Sequence, residues 1–214
     1  ALLVPEFTLA QPPLVRRAAA FDALTQACES FWAQHSTHAS EQHALEAIKL
    51  LTPRLATGLQ PFGLDEAHDV QLGSHLAGKA IDTTRTTAPH ALSYALTMDY
   101  GVDHGHAVGL LFPKIWRLHL DLDARQKLPE ALKKRMKTLS DALGVGAPQD
   151  VPAFWEGLLT SNELNFRFVD LGIKTREQWS VLYNRVNVER LSNHPCSLTM
   201  SDLDRLWNFE ITPG

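Results

Sequence analysis

Leu14-Val-Arg-Arg-Ala-Ala-Ala-Phe-Asp-Ala-Leu-Thr-Gln-Ala-Cys-Glu-Ser-Phe31 decides the fold class. Along it Val15, Ala19, Leu24, Ala27 and Phe31 recur at steps of three to five residues, the period of one helix face and not the two-residue alternation of a strand. The spacing predicts a helix of about five turns that ends near Ser36-Thr37. Ahead of it, residues 1–13 carry Pro5, Pro12 and Pro13, which favour an extended piece and give these residues the look of a linker cut from something longer.

The same grammar continues downstream. Ser40 reads as an N-cap for a helix striped by Ala44, Leu45, Ile48, Leu51 and Leu55, stopped by Gly58 and kinked or shortened by Pro53. Asp65 reads as the cap of a third helix through Ala80, whose small residues (Gly73, Ser74, Ala77, Gly78) place it centrally. Pro89 suits the first position of a helix running to about Met98. After the loop Asp99–Asp103, His104 opens an apolar helix that Pro113 ends or kinks. Four further helices are predicted over 128–143, 151–159, 176–188 and 201–208, with Asp150 and Thr175 as N-caps and Ser201-x-x-Asp204 as a capping box. No strand alternation, glycine-rich phosphate loop or internal repeat interrupts the pattern. The expected architecture is an all-α helical bundle over residues 14–214.

Composition narrows the function. The chain has 214 residues, 44% hydrophobic and 21% charged, within the range of globular domains. A net charge of -4, with no basic block longer than Lys133-Lys134-Arg135, argues against nucleic acid as a partner. No apolar run reaches membrane-spanning length and no signal peptide opens the chain, so the expectation is a cytoplasmic protein without membrane contact. Cys28 and Cys196 are too few for a disulfide framework and read as ordinary thiols.

Ten histidines stand out, and spacing must sort them. Asp22 and Gln26 lie four apart on one helix face, where most polar pairs are solvated. His90 and His104 differ, because each sits at the first turn of an apolar segment, and two helix starts can converge on a point. Two imidazoles and a carboxylate suit Fe(II) or Zn(II) with an open position. The competing reading is that each is a hydrogen-bonded core histidine. His35, His38, His43, His68, His75, His119 and His194 read as surface or packing residues.

The segments Phe21-Asp-Ala-Leu-Thr-Gln-Ala-Cys-Glu-Ser30, Ala44-Leu-Glu-Ala-Ile48, Ala77-Gly-Lys-Ala80, His90-Ala-Leu-Ser-Tyr94, His104-Gly-His-Ala-Val-Gly-Leu-Leu-Phe-Pro113 and Asn187-Val-Glu-Arg-Leu-Ser-Asn-His-Pro195 together resemble the iron-containing (group III) alcohol dehydrogenase family. The resemblance implies a two-domain enzyme. Its N-terminal domain binds the nicotinamide cofactor, NADH or NADPH, and its C-terminal helical domain, which this sequence covers, holds metal and substrate. It also implies a ligand set of Asp22, His90 and His104, with Gln26 at the position where the family places another histidine. Tyr94 stands where most members place a proton-transferring histidine. Thr86-Thr87-Ala-Pro-His-Ala-Leu-Ser-Tyr94 and His104-Gly-His106 resemble the phosphonoacetaldehyde-reducing branch. That implies a small aldehyde as substrate, with Lys79, Arg85, Thr86, Thr87 and His106 around its anionic end. Two other readings follow from the same residues. Gln26 and Tyr94 favour a non-catalytic helical scaffold that has lost its metal, and the two-domain plan is shared with cyclases and lyases resembling dehydroquinate synthase.

Overall fold

The computed structural model describes residues 2–211, and among them there is no strand. The helices are α1 (Pro5–Leu9), α2 (Pro13–Trp32), α3 (His38–Ala56), α4 (Leu64–Thr84), α5 (Ala88–Tyr100), α6 (His104–Ala124), α7 (Glu130–Ala142), α8 (Val151–Ser161), α9 (Arg176–Tyr183), α10 (Val188–Ser192), α11 (Met200–Asp204) and α12 (Asn208–Ile211). The chain is all-α, as its periodicity predicts. None of its described helices is long and apolar enough to cross a membrane.

α2 packs against α3, α4 and α6, while α6 also meets α5 and α8. α2 and α6 therefore carry the core. α4, expected at the centre, flanks it on α2 and α3, and only six of its residues are buried, among them Gly73, Ala77 and Ala80. Gly73 still earns its place, since a Cβ there would lie 2.7 Å from Leu51 Cγ. Trp32, Phe112 and Trp155 stack in series through the core, with ring centroids 5.3 and 4.0 Å apart, and Phe21 meets Trp155 edge to face.

Several expected boundaries move, each for a local reason. Pro5 occupies the first turn of α1 and Pro13 that of α2, so the opening is not wholly extended; a proline there loses no hydrogen bond. α2 ends at Trp32, short of Ser36-Thr37. Thr37, not Ser40, caps α3: its hydroxyl accepts from Ser40 N at 3.2 Å while Ser40 Oγ accepts from Thr37 N at 2.9 Å. α4 starts behind Gly63, whose N–H donates to Glu66 Oε2 at 2.9 Å, so Asp65 is inside the helix. α5 continues to Tyr100 and stops at Gly101 in the left-handed region. α3 runs through Pro53, and α6 runs through Pro113 for more than two further turns. Pro113 has no N–H for the carbonyl of Gly109, and Trp155 Nε1 donates to that oxygen instead at 2.9 Å, so the helix loses a bond without leaving an acceptor bare.

In the last third, Thr175 caps α9 as expected. The helix predicted over 176–188 stops at Tyr183, and a separate short helix, α10, starts at Val188. Asp150 precedes α8 without a side-chain cap bond, and the capping box before α11 is Thr199 with Asp202, two residues earlier than Ser201 and Asp204. Cys28 and Cys196 are both free.

Candidate metal centre

The first turns of α5 and α6 meet the middle of α2. Gly105 makes this approach possible, because a Cβ at that position would lie 2.0 Å from the carbonyl oxygen of Ala18. One turn on, a Cβ at Gly109 would stand 3.2 Å from the Cβ of Phe21. With α6 seated this closely on α2, one donor atom each from Asp22, His90 and His104 falls within 4.8 Å of the others. His90 Nε2 lies 3.1 Å and His104 Nε2 3.8 Å from Asp22 Oδ1. His90 is buried, whereas Asp22 and His104 are half-buried, which leaves the group reachable from one side.

Glu29 organises the centre, and the sequence reading gave it no role. It lies seven residues beyond Asp22 on α2, hence on the same helix face, and is fully buried. Its Oε1 accepts from Thr87 N at 2.8 Å and from Thr87 Oγ1 at 2.9 Å, and its Oε2 accepts from Nδ1 of His90. That leaves Nε2 of His90 facing Asp22. Burial alone would lower the pKa of His90, but Glu29 and Asp22 more than offset it and push it up to about 9. A cation bound at Nε2 would take the place of the proton held there. His104 shifts the other way: burial lowers its pKa, the charges of His90 and Arg190 add to this, and Asp22 opposes it, so its imidazole favours the neutral, lone-pair form.

The donor set fits a divalent transition metal. It offers two imidazoles and a carboxylate, and the buried histidine has its second nitrogen held by a carboxylate, which fixes ring orientation and raises ligand basicity. Gln26 lies beside the group, where its amide donates to Asp22 Oδ2 at 2.9 Å and so supports the carboxylate. Tyr94 is at the rim, its ring centroid 6.0 Å from that of His104.

A second group of donors, His119, His194 and Cys196, is equally compact but differs in its surroundings. His119 and His194 are buried, their Nε2 atoms share a hydrogen bond of 2.8 Å, and neither Nδ1 has a partner. A metal at the Nε2 atoms would leave two buried Nδ1–H groups unpaired, with no carboxylate to orient either ring. Burial instead drives the pKa of His119 down to about 3 and that of His194 well below its usual range, as expected for a neutral packing pair.

The residues expected around the substrate are scattered. Thr86 and Arg85 line a pocket of about 340 Å³ beside α5. Thr87 is buried, its hydroxyl also accepting from Trp32 Nε1 at 3.0 Å, so it serves Glu29 and the core. Lys79 is exposed on α4. Arg85 pairs with Glu189 at the surface, and His106 Nε2 donates to the carbonyl of Asn165 at 2.6 Å.

Known proteins share this architecture. The sequence profile of the Fe-containing alcohol dehydrogenase family, C-terminal, matches residues 17–206. Long-chain-alcohol dehydrogenase 1 of Geobacillus thermodenitrificans is 29% identical over 145 residues, covering 67% of this chain and 34% of that protein. Phosphonoacetaldehyde reductase of Streptomyces viridochromogenes is 35% identical over 122 residues, 55% of this chain and 30% of its own length. The NAD+-bound crystal structure of sulfoacetaldehyde reductase from Bifidobacterium kashiwanohense superposes with a TM-score of 0.85 at 25% identity, over 98% of this chain and 54% of that one. The matched region is thus about a third of the curated relatives and half of the structural neighbour. With a family match across residues 17–206 and a neighbour of the same fold over nearly its whole length, the chain belongs to the Fe-containing alcohol dehydrogenase family of oxidoreductases, as its C-terminal domain.

Proposed function

We propose that this chain is the metal- and substrate-holding part of a cytoplasmic, NAD(P)-dependent enzyme that interconverts a small aldehyde and its alcohol, with reduction of phosphonoacetaldehyde to 2-hydroxyethylphosphonate as the leading reaction. In this reading residues 1–13 lead from an N-terminal nucleotide-binding domain that brings the nicotinamide to the metal centre. The convergence of Asp22, His90 and His104, with Glu29 buttressing His90, carries the proposal. The likeness to phosphonoacetaldehyde reductase supports the choice of aldehyde.

Asp22, His90 and His104 would hold Fe(II) or Zn(II). Bound there, the metal supplies Lewis acidity toward the carbonyl oxygen. Glu29 keeps the Nδ1 proton of His90 and so presents Nε2 to the cleft, while Gln26 steadies Asp22. Tyr94, exposed at the rim beside His104, offers its Oη proton to the substrate oxygen as hydride reaches the carbon. Thr86 lines the pocket of about 340 Å³ beside α5, where the tail of the substrate would lie.

The test is turnover by the two-domain protein with NADH or NADPH and phosphonoacetaldehyde. Reduction that needs the metal, stops with a chelator and falls at least about a hundredfold in Asp22→Asn or His90→Ala is expected. Turnover indifferent to chelators and to both substitutions would contradict the reading.

A further inference from the structure

We infer that Arg190, on the strap between α9 and α11, is the specificity residue of this site and binds the anionic end of a short aldehyde whose carbonyl lies at Asp22, His90 and His104. The inference rests on the function proposed above and adds to it a substrate class: small aldehydes that carry a phosphonate, sulfonate or carboxylate.

The strap is pinned at both ends of α10. Asn187 N donates to the carbonyl of Ala91 at 3.1 Å, and Asn193 Nδ2 donates to the carbonyls of Thr84 and Thr86 at 2.7 and 3.0 Å. These bonds hold Arg190 across the start of α5. Its guanidinium lies 5.4 Å from the centroid of the Tyr94 ring, which itself stands 6.0 Å from that of His104, and Nη1 donates to Thr86 Oγ1. On its other side Arg190 lines the 340 Å³ pocket with Ile81, Arg85, Thr86, Glu189 and Asn193. Arg190 therefore borders both the pocket and the Tyr94–His104 side of the metal centre.

Charge singles out Arg190 from its neighbours. Arg85 is already neutralised by Glu189, and both side chains are largely exposed, 69% and 74%. No carboxylate among the described residues lies within ion-pair distance of Arg190, although its side chain is half-buried. A half-buried guanidinium over an aromatic face, with one hydroxyl as its acceptor, retains donors for a planar or tetrahedral oxyanion. The pocket's surplus positive charge is thus on the side nearest the centre where carbonyl chemistry is proposed, as an aldehyde with an anionic tail requires.

The experiment compares wild type, Arg190→Gln, Arg190→Lys and Arg85→Gln in the two-domain enzyme, each with phosphonoacetaldehyde and with propanal, and measures inhibition of propanal reduction by ethylphosphonate. Arg190→Gln is expected to lower kcat/KM for phosphonoacetaldehyde by about ten- to a hundredfold, mainly through KM, and to leave propanal within about twofold. Ethylphosphonate should compete with propanal in wild type and lose potency by a similar factor in Arg190→Gln. Arg190→Lys should recover part of the loss, and Arg85→Gln should leave selectivity unchanged. Equal losses on both aldehydes would overturn the inference, and a raised KM for NAD(P)H would then mark Arg190 as a cofactor-phosphate contact. Unchanged selectivity and unchanged ethylphosphonate inhibition in Arg190→Gln would overturn it too. A wild type that reduces propanal without favouring the anionic aldehyde refutes the anion site alone. One that reduces neither refutes the aldehyde reading and this inference with it.

Discussion

Glu29 shows how one buried side chain sets the chemistry of another. Replacing it with Gln keeps the volume but removes the charge and turns one of the two accepting oxygens into a donor, so the amide cannot serve both Thr87 and the Nδ1 proton of His90. Glu29→Gln is expected to weaken divalent metal binding by about ten- to a hundredfold, measured by competition with a chromogenic chelator, with a change in thermal midpoint of only a few degrees. A variant that binds metal as tightly as wild type would reduce Glu29 to a packing residue. At this scale His90 and His104 were legible as histidines at helix starts, whereas Asp22, in the middle of α2, joined them only through the family resemblance. Glu29 was not, although Asp22, Gln26 and Glu29 share one face of α2 at spacings of four and three. A carboxylate on a helix normally reads as solvated, and only the packing of α5 over it makes it buried. Arg190 was illegible for another reason: Arg85 is closer in sequence to His90, and nothing local says that Glu189 has already claimed it.

The elements were largely legible as helices and poorly legible at their ends. Pro113 illustrates the cause. Its ring should end α6, yet the carbonyl it strands finds Trp155 Nε1, a donor 46 residues away that no window of sequence around Pro113 contains. Trp155→Phe is therefore expected to cost about 1 to 3 kcal/mol in urea unfolding, because the Gly109 carbonyl is left buried without a donor. Restoring the backbone N–H with Pro113→Ala should recover part of that loss in the double variant, and additive losses would contradict the pairing. Gly105 tests the same helix at its other end. Gly105→Ala must push α6 away from Ala18, so it should lower stability by about 1 to 3 kcal/mol and metal affinity by more than about tenfold as His104 is drawn from Asp22. Unchanged affinity would mean that α2 and α6 can slide without disturbing the centre.

At the scale of the molecule, the core carries a pH liability. His119 and His194 are held neutral by burial, with the pKa of His119 near 3 against about 6.5 in an unfolded chain. Since the native value is depressed, the unfolded state takes up protons first. The share of stability tied to this pair should be full above pH about 6.5 and fall below it, by up to about 1.4 kcal/mol per pH unit for each histidine, opposite in sign to His90, whose raised pKa favours folding at lower pH. The double change His119→Asn, His194→Asn keeps a mutual hydrogen bond without a titrating group, and should flatten this acid limb in melts recorded between pH 7.5 and 5. An equally steep limb would place the acid sensitivity elsewhere. The all-α architecture followed directly from helical periodicity, while the buried pair did not, because ring-to-ring contact across 75 residues leaves no trace in local pattern.

Asp22, His90 and His104 holding one metal ion is the arrangement on which the proposed chemistry depends. The most direct measurement is a metal-loaded crystal structure with anomalous scattering at the iron and zinc edges, joined to elemental analysis of wild type, Asp22→Asn and His90→Ala. One ion per chain, bound by these three side chains and lost in both variants, is the expected result. An ion seated at His119, His194 and Cys196, or metal content unchanged in Asp22→Asn and His90→Ala, would contradict it.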